Sequence, residues 1–599
     1  MKTHDSHFIT ATVAYFARSK ITPLIIVFSV FLGLAAVLNI PREEEPQISV
    51  PMFDIFVRYP GASAEEVERR IVNLGERKLW EIPGVEYIYS SSEPGGAMIT
   101  VRFRVGEDIE KSLIKLFTKV HSNLDFLPAG SSQPLIKLRS IDDVPILSLT
   151  FSGTGHSPLE LRRTVAMVQQ SLNAIPDVSE TQIIGGRKRQ FQIFIDGRKL
   201  KDRIMNPNDI AGLVRRANVK LDAGHLQTEP EYINVEADGF FRSKADLENL
   251  VVNSSQGDVV YLKDVARVVD GPDESESFVN IRFAGAAAGA PLDAVTLSVS
   301  KRKGANASFL SKKIISHVEA LKGSAIPPGI NYTVTRDYGA TADEKSNELL
   351  LHMAIAVFGV SLLIALVLGW REAGVVAIAI PMTLSLTLAS FYFIGFTLNR
   401  ITLFALIFSI GILVDDPVVD VENIVRHLRM PVNRGRRMLD VTIEAVNEVM
   451  SPLILATLAV MAAILPMAFV RGLMGPYMRP IPVGACIAMF FSMTVAFIAT
   501  PWAAVWILGH ARESGAHGKD EGESFLTKSY RWYMQPLIYR RKVRLAFLAS
   551  LSMLLLASLA LVPLKLVKVK MLPFDNKSEF QVVLDMPEGT SLAATAEVI

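Results

Sequence analysis

Seven stretches of the chain are apolar almost without interruption: residues 24–40, 349–368, 375–396, 401–425, 452–470, 480–508 and 545–567. A helix that crosses the hydrocarbon of a bilayer needs about 20 such residues, so each stretch is expected to span a membrane. The first follows Arg18 and Lys20. It runs too long for a signal peptide and lacks a small-residue cleavage site, so it reads as an uncleaved anchor.

Between the first two stretches the pattern changes. Residues 53–59 alternate in the manner of a strand, and Ser63 with Glu66 forms a capping box that opens a helix to about Ile82. Strands over 85–91 and 97–105 follow, joined through Glu93-Pro94-Gly95-Gly96, then a helix over about 109–127. The order recurs with a strand at 145–151, a capping box Ser157-Pro158-Leu159-Glu160, a helix to Ile175, and strands at 178–184 and 190–195. Even the helix ends match, Ile82-Pro83-Gly84-Val85 against Ile175-Pro176-Asp177-Val178. This duplication predicts two ferredoxin-like βαβ subdomains. Polar, Asn- and Asp-rich sequence over about 197–275 reads as an inserted subdomain.

A longer repeat is also present. The 24–40 stretch leads into Pro41, strand 53–59 and Pro60-Gly61-Ala62-Ser63; the 545–567 stretch leads into Leu572-Pro573-Phe574-Asp575, a strand at 580–585 and Pro587-Glu588-Gly589-Thr590-Ser591. Parallel repeats of this kind mark secondary transporters. Ile599 falls inside the expected first helix of the second outer unit, so the reading is of a partial chain whose second repeat is truncated.

Orientation follows the basic residues. Arg426, Arg429, Arg434, Arg436 and Arg437 crowd the loop after the fourth stretch, and Lys528, Arg531, Arg540, Arg541 and Lys542 precede the seventh. Both loops are therefore expected in the cytoplasm and residues 41–345 outside it, with a bacterial periplasm the simplest compartment. The expected organisation is 1–23 cytoplasmic N-terminus, 24–40 first span, 41–135 first outer subdomain and 136–345 second outer subdomain with its insertion. Spans two to six follow over 346–508, then a cytoplasmic loop over 509–544, the seventh span over 545–567, and the start of a second outer domain over 568–599. Phe525, Leu526, Tyr530, Tyr533, Met534, Leu537 and Ile538 recur at helical spacing in that loop, which predicts an amphipathic helix on the membrane surface.

Composition agrees with an apolar membrane part beside a polar outer part: half of the 599 residues are hydrophobic and 20% are charged. A net charge of +2 gives no reason to expect a nucleic-acid partner. The single cysteine, Cys486, excludes an intrachain disulfide and a thiolate metal cluster. No phosphate-binding Gly-x-x-x-x-Gly-Lys-Ser/Thr loop occurs, and the ten histidines show no metal-ligand spacing, so neither ATP-driven transport nor a cofactor is expected.

The chemistry is concentrated in the fourth stretch, Gly411-Ile412-Leu413-Val414-Asp415-Asp416-Pro417-Val418-Val419-Asp420-Val421-Glu422-Asn423. Asp415 lies roughly 22 Å along a helix from Arg400 and about 17 Å from Arg426, well inside the hydrocarbon. An ionised Asp there costs at least about 2.5 kcal/mol. Burial and mutual repulsion both disfavour a second charge, so Asp415 and Asp416 are the candidate proton relay. Asp420, one turn further, either extends the proton path or sits among the headgroups. Glu422 and Asn423 are expected to cap or anchor the cytoplasmic end, and Pro417 to remove a backbone donor beside the carboxylates. An intramembrane aspartyl protease is a poor fit, because neighbouring residues on one helix point about 100° apart.

The Gly-x-x-Val-Asp-Asp-x-x-Val-x-x-Glu-Asn run at 411–423, Tyr59-Pro60-Gly61-Ala62-Ser63 with Glu66, and Leu465-Pro466-Met467-Ala468-Phe469 together resemble the resistance–nodulation–division (RND) exporters, in particular the hydrophobe/amphiphile multidrug permeases. The resemblance implies a multi-pass inner-membrane homotrimer that exports amphiphilic, drug-like compounds in exchange for protons. It also implies a tripartite assembly with a periplasmic adaptor and an outer-membrane channel, with 197–275 as the docking subdomain. The cation paired with the aspartates, and half of the substrate pocket, would come from a second half. Asp420 departs from the apolar residue usual at its position. Alternatives are a heavy-metal or lipid exporter of the same superfamily, and a non-transporting remnant or receptor-like membrane protein.

Overall fold

The computed structural model describes residues 5–46, 48, 50–139, 144–255, 258–275, 277–284, 291–433, 435–472, 474–513, 525–567, 579–587 and 589–599. Seven helical spans among them are long and apolar enough to cross a membrane. They are formed by Thr22–Asn39 (α1), Tyr338–Val367 (α2), Trp370–Ile394 (α3), Arg400–Leu413 with Asp415–Arg429 (α4 and α5), Met438–Ile464 (α6), Pro480–Glu513 (α7) and Arg541–Ala560 (α8). Helices α3, α4, α5 and α7 bury about half of their apolar windows against one another, whereas α8 buries none. Small residues set the closest approach: a Cβ added at Gly33 of α1 would lie 2.3 Å from the Ser385 Cβ of α3.

Two sheets stand on this bundle. The first contains β1 (Met52–Arg58), β2 (Val85–Glu93), β3 (Gly96–Phe103) and β4 (Leu135–Arg139), all antiparallel in the order β2-β3-β1-β4. Its inner face, Phe53, Ile55, Val57, Ile99, Val101 and Phe103, packs with Ile71, Leu79 and Leu116 from the intervening helices. The second is built from β5 (Leu147–Ser152), β6 (Val178–Gly185), β14 (Leu292–Lys301) and β15 (Asn331–Asp337), again antiparallel, in the order β6-β14-β5-β15. The short β13 (Asn280–Ile281) extends its edge. Counted within each unit, the two sheets share the strand order second, third, first, fourth.

The duplication reaches into the backbone. Ser63 and Ser157 each accept from the amide three residues on, and Ser157 with Glu160 completes a capping box. At the helix ends, Ile82 N–H donates to Leu79 and Val85 N–H to Ile82, and the same two bonds recur from Ile175 to Leu172 and from Val178 to Ile175. Gly84 (φ +100°) and Asp177 (φ +73°) both take the left-handed turn that this geometry requires.

One expected strand is corrected. Residues 190–195 do not supply the third strand of the second sheet; β7 (Arg189–Ile195) pairs instead with β12 (Ala266–Pro272). The third position is central and covered on both faces. β14 meets that demand with Val295, Leu297 and Val299 fully buried, while β7 is half exposed and turns Phe191 and Ile193 to a separate core around Leu200, Ile210, Leu247, Leu262 and Val268. The inserted unit therefore opens at β7, earlier than position 197. Within it, β8 (Lys220–Thr228) and β9 (Glu231–Asp238) form an exposed hairpin, and β10 (Val251–Ser255) pairs with β11 (Asp258–Tyr261).

A short strap ties the bundle to the second sheet. Leu398 N–H donates to Pro41, Glu43 N–H to Leu398, and Ala307 N–H to Arg42. Side chains repeat the connection: Lys301 to Glu43 at 2.6 Å, buried, Arg42 to Asp343 at 2.5 Å, and Arg400 to Glu45 at 2.8 Å.

Near the C-terminus, residues 572–575 lie outside the described residues, and 580–585 run without a ladder partner among those described. The expected strand is thus not formed there, because a strand exists only where a neighbour completes its hydrogen bonds. Ser591 nevertheless caps the helix Leu592–Val598 as Ser63 and Ser157 cap theirs.

Candidate functional site

The site begins with a proline. In a continuous helix the amide of residue 417 would donate to the carbonyl of Leu413; Pro417 has no amide hydrogen. The fourth span is accordingly interrupted between α4 and α5, although Val414 (φ −73°, ψ −26°) keeps helical angles. The interruption is one of missing hydrogen bonds and not a turn. Ser492 on α7 donates its hydroxyl to the freed Leu413 carbonyl at 2.8 Å.

The three sequence-predicted aspartates separate at this point. Asp415 opens α5 and is exposed on the outside of the bundle. Asp416 turns inward, where it is 7% exposed, and its Oδ1 lies 3.2 Å from the Thr457 hydroxyl on α6. Asp420, one turn on, is fully buried, and neither of its carboxyl oxygens has a hydrogen-bond partner among the described residues. Asp416 and Asp420 therefore share the buried face, and Asp415 does not. An aspartic dyad across 415 and 416 is geometrically absent.

The Thr457 hydroxyl has two possible acceptors, Asp416 Oδ1 and its own Leu453 carbonyl at 2.9 Å, and one hydrogen to give. With Asp416 charged, the hydroxyl donates to the carboxylate. With Asp416 protonated, the acid donates to Thr457 and the hydroxyl turns back to Leu453. The pair thus accommodates either protonation state by rotation about one side-chain bond. Asp420 has no such neighbour, and nothing in its surroundings offsets a bare charge, whose burial costs several kcal/mol.

Asn423 does not cap the helix end as expected. It is buried, donates to the Ala445 carbonyl at 2.6 Å, and accepts from Arg426, so that it ties α5 to α6. Glu422 is exposed. Beyond Asn423, His427 is 8% exposed, with Nε2 2.6 Å from the Glu448 carboxylate of α6, which also accepts from Arg426 at 2.6 Å. Sequence reasoning missed Thr457, Ser492, His427 and Glu448. For Thr457 and Ser492 a lone hydroxyl inside an apolar stretch was the available signal; His427 and Glu448 lie just outside the stretches and carried none. Among the described residues no cluster of His, Cys, Asp and Glu suited to a metal ion occurs.

A family model described as the AcrB/AcrD/AcrF family matches residues 12–599. Multidrug resistance protein MdtC of Escherichia coli O81 (strain ED1a) is 27% identical over 489 residues, covering 81% of this chain and 46% of that protein. MdtC of Yersinia pseudotuberculosis serotype O:1b (strain IP 31758) is 26% identical over 497 residues, 82% of this chain and 47% of its own. MdtC of Enterobacter sp. (strain 638) is 26% identical over 511 residues, 85% and 48% respectively. The chain spans about half the length of the curated relatives it matches.

Proposed function

This chain belongs to the AcrB/AcrD/AcrF family of the RND permeases, and from that premise we propose that it is part of a proton/substrate antiporter that exports amphiphilic, drug-like compounds. The observation that carries the reading is a pair of inward-facing carboxyls, Asp416 and Asp420, buried in a predominantly apolar bundle. Ionisable groups at such depth are costly and are kept for a task, of which proton transfer is the simplest. Asp416, with its two-way hydroxyl neighbour, is the central carrier. Asp415, exposed on the outer flank, is assigned to the face that meets the second half of the pump, and Asp420 extends the path.

The rest of the assembly follows the family. The outer units are read as ferredoxin-like porter subdomains on the periplasmic side of a bacterial inner membrane, with the β7–β12 insertion as the docking part. The start after α8 is read as the opening of a second repeat, and the bare apolar sides of α8 as the surface on which that half packs. The working form is a homotrimer with a periplasmic adaptor and an outer-membrane channel. Its drug-like cargo is supported by relatives whose names record multidrug resistance.

The test is Asp416→Asn in the complete protein. Proton-driven efflux of a fluorescent dye is expected to vanish while membrane insertion is unchanged. Undiminished efflux overturns the assignment.

A further inference from the structure

Polar residues on the buried face of α5 do not stop at Asp420. Asp416, Asp420, Asn423 and His427 occupy positions i, i+4, i+7 and i+11, all buried, and so form one stripe about 16 Å long on a helix whose other inward residues are apolar. The stripe ends at the Arg-rich side of the membrane. There His427 Nε2 meets Glu448 Oε2 at 2.6 Å, while Nδ1 is buried without a partner among the described residues. A carboxylate only accepts, so Nε2 carries the ring hydrogen and Nδ1 is left as a free acceptor.

Resting on the antiport reading above, we propose that His427 and Glu448 form the cytoplasmic proton port of this chain, receiving protons from Asp420. The Asp420 carboxyl gives up its proton and His427 Nδ1, roughly 10 Å further along the same helix face, takes one up. The imidazolium then releases its Nε2 proton to Glu448 and on to the cytoplasm, leaving a neutral ring protonated at Nδ1; loss of that proton and uptake of one at Nε2, by exchange with solvent on the cytoplasmic side, restores the starting tautomer. Imidazole is suited to this step because its two nitrogens let it take a proton on one side and release one on the other. Asn423 is not a carrier: its amide donates to the Ala445 carbonyl at 2.6 Å and to Glu448 Oε2 at 3.4 Å, and its oxygen accepts from Arg426, which holds α5 and α6 in register.

The charged groups around the port are few. Arg426 lies 3.4 Å from the His427 ring and shares Glu448 with it. On α6, Glu444 is held by Arg436 at 2.7 Å, and Asp440 by Arg437 at 3.1 Å. Of the other helices packed on α5, α3 carries Arg371 and Glu372 in its first turn, α4 only Arg400 at its far end, and α7 no charged residue over 480–509.

The experiment uses the complete protein in proteoliposomes, with the pH of each side set independently and dye transport as the readout. Wild type slows as the cytoplasmic-side pH falls, because the port stays loaded. In Glu448→Gln and His427→Gln, turnover drops about tenfold or more and that dependence disappears. The periplasmic-side pH profile and the substrate KM stay as in wild type. Glu448 is half exposed, so its variant tests the port even if loss of the buried ring impairs insertion. Unchanged cytoplasmic-side profiles overturn the port, as does equal scaling of both profiles, which would mark a structural role. Asp416→Asn serves as the control. If it still transports, the antiport reading has failed; if it is inert while Glu448→Gln keeps the wild-type profile, only the port has.

Discussion

Ser492 supplies to the Leu413 carbonyl the hydrogen bond that Pro417 cannot, at 2.8 Å and across a helix interface. The proline and the serine are therefore one device, which opens the helix next to Asp416 without leaving a bare carbonyl in the bundle. Ser492→Ala alone is expected to lower stability by about 1 kcal/mol, the upper part of the range for hydrogen bonds between membrane helices. Pro417→Ala restores the backbone donor, so in that background the serine is worth little. Thermal unfolding in detergent of the two single variants and the double variant measures the coupling; additive losses would separate the two residues.

The hydroxyl at Thr457 gives a second prediction. Thr457→Ser keeps the donor and is expected to retain dye efflux, whereas Thr457→Val keeps the shape and removes both hydrogen-bonding states. Efflux by the valine variant should fall about 10- to 100-fold, in line with losing one positioned proton-handling contact. Asp420→Val separates stability from function in the opposite sense, since an unpartnered buried carboxyl is replaced by a side chain that suits its surroundings. That variant should unfold at a higher temperature and transport less.

At the strap, Lys301→Met removes the ammonium 2.6 Å from the buried Glu43 carboxylate and is expected to lower stability by a few kcal/mol, up to about 3–5. Adding Glu43→Gln should recover most of the loss. Recovery is read from unfolding temperature, and its absence would show that the pair acts through something other than its charges.

The pH dependence of the second outer unit has a visible source. Tyr332 donates to Glu319 at 2.6 Å, and burial together with that carboxylate pushes the phenol up to about 12. A raised acid is protonated more readily in the folded chain, so its contribution is complete below the ordinary tyrosine value and is lost as pH climbs towards 12. Glu319 is held below its usual range by Lys322 and Tyr332, so its share is present at neutral pH and lost on acidification through the carboxylate range. Tyr338 is pushed up to about 12 as well, so Tyr332→Phe should reduce, and not abolish, the alkaline part of the stability profile and the late-titrating tyrosinate absorbance.

Much of this was legible along the chain, for physical reasons. Aspartates in an apolar run stand out because hydrocarbon gives them no solvent, and serine caps stand out because the helix start has amides to satisfy. What the sequence left hidden depends on packing between distant segments. Thr457, Ser492 and Glu448 become site residues only when α6 and α7 lie against α5. The strand at 190–195 was misplaced because Phe191 and Ile193 alternate as a third strand would, while the segment that fills the place, β14, comes after the whole insertion. Alternation reports that a strand exists, not which partner it chooses.

The pairing of β7 with β12 sets Arg189 opposite Pro272, so the chain leaves for the insertion and returns from it by adjacent strands. With a core of its own and a doorway one strand wide, this segment is a cassette. It can be exchanged for another of different length or specificity while the sheet it hangs from keeps its register. On the proposed reading of the insertion as the docking part, its partners could change while the buried carboxyls of α5 stay as they are.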